Sequence, residues 1–139
     1  MAVNDLTVQT LDKDGLNILT SGTDILENVQ GTGTTPDGDR WVNTDKTFLI
    51  LHADGHDAAV TFTIEPLNQS SVNNESFGAL TVSNITVELS ASDSTPQTEV
   101  VKIPVGYNNT SGKCIVKATS DTFEAGEVQI AAVKLADIG

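Results

Sequence analysis

Residues 46–65, KTFLILHADGHDAAVTFTIE, constrain the fold more than any other stretch of this chain. They hold two apolar runs, each about one strand long, on either side of a polar turn that contains Asp54 and Gly55. In the second run the apolar positions 60, 62 and 64 alternate with polar ones, which is the pattern of a strand with one buried face. The first run, 47–51, is apolar on both faces, as in a central strand that is covered on both sides. We predict that the two runs form a hairpin, which needs a second sheet to cover it.

The rest of the chain supplies further short strand candidates with turn residues between them. They lie at residues 6–10, 16–20, 79–82, 85–89, 98–103, 114–118 and 127–135. Residues 21–45 read as a loop with a brief extended piece at 27–30, and the last strand is expected to change its buried face at a bulge near Ala131. No stretch predicts a firm helix. The sequence therefore predicts an all-β protein, a jelly-roll-like β-sandwich of about nine short strands that forms one domain over residues 1–139.

Length and cysteine content narrow the class of protein. A chain of 139 residues can bury one substantial core without disulfides or structural metals. The single cysteine, Cys114, excludes an internal disulfide and a cysteine-based zinc cluster, and its apolar neighbours predict a small buried side chain. The sequence shows no export signal and no apolar run of bilayer length, so we expect a soluble protein that is not exported by a visible signal.

Charge excludes two classes of partner. The formal net charge is −12, from 19 acidic and 7 basic residues. Such a chain repels nucleic acid backbones and anionic lipid, so neither nucleic acid nor membrane is expected as a partner. Two interpretations of the acidic surface stay open: it serves solubility, or it docks on a basic or mixed-charge partner.

Groups that could carry chemistry are few. His52, Asp54, His56 and Asp57 lie close enough in sequence to bind a divalent metal, but a polar turn also explains them. The acidic stretches at residues 12–15 and 37–39 lack the later ligands of a calcium loop. Neither a G-x-S-x-G motif nor a phosphate loop occurs. We therefore expect no metal, no cofactor and no enzymatic activity.

Three polar-loop residues are candidates for a protein interface. Arg40 and Trp41 are adjacent, and both residue types are enriched at the centres of interfaces. Tyr107 follows a turn that contains Pro104 and Gly106. For Trp41 and Tyr107 the alternative is an aromatic ring that plugs one end of the core.

Five segments of the chain follow one another in this order: VNTDKTFLILHADG (42–55), AVTFTI (59–64), IPVGYNN (103–109), GKCIV (112–116) and the closing strand at 128–135. The order of these pieces resembles the small capsid decoration (cement) proteins of tailed bacteriophages. The likeness runs over residues 2–135, but a longer loop at 21–41 and an acidic, Ser- and Asn-rich stretch at 66–97 depart from it.

The resemblance implies a function as a structural virion protein. Such a protein would be made in the host cytoplasm and would bind the outer surface of the phage head, where its partner is the major capsid protein. It would also self-associate as a dimer or trimer at a symmetry axis. Candidate contact residues are Leu6 and Val8 of the N-terminal segment, together with Arg40, Trp41 and Tyr107. The alternative is a carbohydrate-binding or adhesin-type β-sandwich module of a phage tail or fibre, which exposed Trp41 and Tyr107 rings would favour.

Overall fold

The computed structural model describes residues 3–11, 26–29, 31–32, 35–56, 58–66, 71–74, 78–81, 83–91, 95–109, 111–120 and 127–135. Within these ranges the chain is nearly all β and forms a sandwich, which confirms the predicted fold class. The strands in chain order are β1 (Asn4–Asp5), β2 (Val8–Leu11), β3 (Glu27–Asn28), β4 (Gly31–Thr32), β5 (Thr35–Pro36), β6 (Asp39–Val42), β7 (Thr47–Ala53), β8 (Val60–Ile64), β9 (Ser71–Asn74), β10 (Gly78–Thr81), β11 (Ile85–Leu89), β12 (Gln97–Val101), β13 (Lys113–Thr119) and β14 (Val128–Leu135). One 3₁₀ turn, Val105–Tyr107, lies between β12 and β13. No helix in these ranges is long and apolar enough to cross a membrane.

Ten of these strands build two five-stranded sheets. The first sheet has the order β1-β6-β13-β8-β11, and the second has the order β12-β7-β14-β2 with β3 also paired to β14. Neighbouring strands are antiparallel, apart from β1 on β6 and β2 on β14, which are parallel. The remaining four strands form two small antiparallel pairs, β4 with β5 and β9 with β10.

The core lies between the two sheets because every central strand places an apolar face there. In β8 and β13 the buried positions alternate with half-exposed ones, as the sequence pattern predicts. The side chains of this core come from both sheets, which identifies the two layers of a sandwich. Its largest fully buried members are Trp41, Phe62, Leu49, Leu51, Ile64, Ile103 and Ile130.

Strands β7 and β14 are buried on both faces. Their inward residues, such as Leu51 and Ile130, join the core, while Ile50, Ala131 and Val133 form a second cluster on the outer face of their sheet. The pairing of β7 with β14 runs without interruption from Val128↔Ala53 to Lys134↔Thr47. The predicted double cover of β7 is therefore correct. The predicted bulge near Ala131 is wrong. The last strand has apolar residues on both faces because, like β7, it is covered on both sides.

The predicted hairpin of β7 and β8 is also wrong. β7 pairs with β12 and β14 in one sheet, whereas β8 pairs with β11 and β13 in the other. The chain therefore crosses from one sheet to the other between β7 and β8. It is anchored by the fully buried His56, whose Nε2–H donates to the carbonyl oxygen of Ser90 at 2.7 Å. The alternation of apolar and polar residues cannot distinguish a hairpin partner in the same sheet from a strand in the facing sheet, because both bury one face in the same core.

The predictions for the short extended piece, the second strand and the polar loops have different outcomes. The short extended piece expected at 27–30 is β3, and the strand expected at 16–20 lies outside the described residues. β6 and β9 form in stretches that the sequence pattern marks as polar loop. β6 has alternating buried residues, but they are Asp39 and Trp41, so hydrophobicity alone does not reveal it.

A pair of leucine substitutions tests the position of the core. Leu51 is fully buried in β7, and Leu135 is 47% exposed at the end of β14. We expect Leu51→Ala to lower the free energy of unfolding by about 2–5 kcal/mol through lost burial and a residual cavity. Leu135→Ala should cost about 1 kcal/mol or less. Urea unfolding of both variants measures the difference, and equal losses would contradict the assignment of the core.

Candidate protein-binding surface

One end of the sandwich collects the features expected of a binding surface. The turn at residues 43–46 between β6 and β7 lies there, together with the loop that leads from β12 to β13 and the last residues of β14. We call this region, made of residues 42–47, 102–109, 111–113 and 134–135, the turn end. It contains parts of four segments that carry the sequence resemblance, at 42–55, 103–109, 112–116 and 128–135.

Two asparagines hold the turn end together through buried hydrogen bonds. We call this network of Asn43, Asn108 and their partners the brace. The buried Asn43 side chain donates through Nδ2 to the carbonyl oxygen of Ile103 at 3.0 Å and to Oδ1 of Asn108 at 2.9 Å. Asn108 returns a bond from its Nδ2 to the backbone oxygen of Asn43 at 2.8 Å, and the Asn43 amide donates to the oxygen of Gly112. Buried hydrogen-bond networks of this kind fix one geometry, because each unpaired group would lose its hydration without compensation. The brace holds the 43–46 turn against Ile103, Asn108 and Gly112.

Cys114 belongs to the same brace. Its buried thiol donates to Asn108 Oδ1 at 2.9 Å, and burial raises the pKa of the thiol to about 11. A thiol with so high a pKa stays protonated at neutral pH and is a poor nucleophile. The prediction of a small buried side chain at Cys114 is correct.

The N-terminal segment closes the side of the sandwich next to the turn end. β1 extends the first sheet, β2 extends the second, and Leu6 between them is buried in the core. Outside the core, the Asp5 carboxylate receives two hydrogen bonds from Arg40, at 2.9 and 3.0 Å, and one from Lys113 at 3.2 Å. These bonds lower the pKa of Asp5 to about 2. One segment thus links both sheets at their edges.

An open recess lies where the N-terminal segment crosses between the sheets. Its volume is about 300 Å³, near the lower limit for small-molecule pockets. The lining residues are Leu6, Val8, Thr10, Val42, Thr44, Thr47 and Lys134. The hydroxyls of Thr44 and Thr47 bond each other at 2.8 Å, and Lys134 contributes a charged ammonium group at the exposed end of its strand. The recess is therefore mainly apolar and has one cation in its lining.

Three exposed aliphatic side chains belong to the turn end, and one of them, Val42, also lines the recess. Val42, Val105 and Leu135 are 47%, 52% and 47% exposed, and all three belong to the turn end. Of the large hydrophobic residues exposed in the described ranges, only Val100 lies elsewhere, on β12. A grouping of exposed aliphatic residues on a charged protein is typical of a contact surface.

The five predicted interface residues have different positions. Leu6 and Val8 line the recess, and Arg40 pairs with Asp5. Trp41 is 1% exposed in the core, so its interpretation as a surface anchor is wrong and the core alternative is correct. Tyr107 is half-buried and its hydroxyl donates to the carbonyl oxygen of Ser83. No separate sequence signal marks Asn43 and Asn108, because asparagine is common in turns for local backbone reasons.

The two histidines of the 52–57 stretch do not point to a shared site. His52 Nδ1 bonds the hydroxyl of Thr98 at 2.8 Å on the outer face of its sheet, whereas His56 is buried in the connection between the sheets. Asp54 is exposed, and Asp57 lies outside the described residues. Within the described ranges, no group of three or more potential metal ligands comes together.

Comparison with known proteins adds no relative: no protein-family model matches the chain, and no curated protein or solved structure matches it either.

Removing the Asn43 side chain tests the brace. We expect Asn43→Ala to lower the free energy of unfolding by about 1–3 kcal/mol, since buried acceptors lose their donor. The same variant should let a thiol reagent reach Cys114 faster in the native state. The control is Asn84→Ala, at an exposed asparagine. Unchanged stability and thiol reactivity in Asn43→Ala would contradict the brace.

The ion pairs of Asp5 predict a pH dependence of stability. The pKa of this carboxylate is lowered from 3.8 to about 2, so its contribution is fully present above pH 3.8 and is lost as the pH falls through about 2. We expect Asp5→Asn to lower the urea midpoint at pH 7 and low salt, and the gap from the wild type to narrow toward pH 2. The matched control is Asp54→Asn, at an exposed carboxylate. A gap that stays constant from pH 7 to pH 2 would rule out this role of the Asp5 ion pairs.

Proposed function

We propose that this protein is a capsid decoration protein that binds the outside of a tailed-phage head and stabilises contacts between major capsid subunits. The observation that carries the proposal is the resemblance of segments 42–55, 103–109 and 112–116 to that family. The brace adds to it, since Asn43, Asn108 and Cys114 come from these three segments and are bonded to each other. The resemblance therefore falls on residues with a common structural role.

The physical properties of the fold agree with this proposal. A decoration protein must transmit force between neighbouring subunits, so it needs a stiff body more than it needs a reactive site. The double burial of β7 and β14 and the bonded turn end provide stiffness. Many copies on a lattice give strong total binding from a modest interface per copy, because each added contact acts at high effective concentration.

The proposed function places the protein on the virion and gives it contacts with the capsid and with its own copies. The protein would be made in the host cytoplasm and assembled on the outer surface of the virion. It would contact the major capsid protein and would also meet further copies of itself as a dimer or trimer at a symmetry axis. No step of this function requires a cofactor or catalysis.

The alternative of a carbohydrate-binding or adhesin module loses its main support. That interpretation depends on exposed aromatic rings that stack on sugar faces. Trp41 is buried and Tyr107 is half-buried with its hydroxyl bonded. The described surface therefore does not offer the pair of rings that this function needs.

Sedimentation with phage heads tests the proposed function. The purified protein is mixed with expanded heads assembled from the major capsid protein of the same genome, and unexpanded heads serve as the control. We expect saturable co-sedimentation with expanded heads, at a fixed ratio of copies to capsid subunits, and a higher temperature of head disruption. No binding at micromolar concentrations would refute the proposal.

A further inference from the structure

We draw no further inference here: the strongest candidate, the strand β12 at the edge of the second sheet with its 61% exposed Val100, carries nothing, because no contact or charge among the described residues shows what covers that edge.

Discussion

The burial of β7 and β14 on both faces is the constraint on which the rest of the structure depends. Two adjacent strands that are apolar on both sides cannot lie in a sheet with one face in water. They need the opposite sheet on one side and a second apolar layer, which includes Leu26, on the other. The continuous register between them fixes the second sheet, and the facing strands β8 and β13 then fix the first.

The turn end derives its geometry from that frame. β6 and β7 belong to different sheets, so the turn at 43–46 passes over the end of the core, where backbone groups need partners. Asn43 and Asn108 provide them, and Cys114 completes the network from the first sheet. The recess and the exposed aliphatic residues of the turn end are carried on this bonded support. Binding groups on such a support keep their relative positions without an entropic cost at each encounter.

The sequence by itself determined the class of fold, because a period of two and a doubly apolar run are properties of single strands that hold in any sheet. It also determined that Cys114 is buried, because the residue lies in an apolar strand-like run. Only the tertiary structure decided that β7 and β8 lie in different sheets, that Trp41 faces the core, and that Lys102 and Lys134 share one end. The physical reason is that pairing between strands joins residues far apart in the chain. A local pattern indicates which face of a strand is buried. It does not indicate which strand covers that face or which charged residues lie together at the end of the strand.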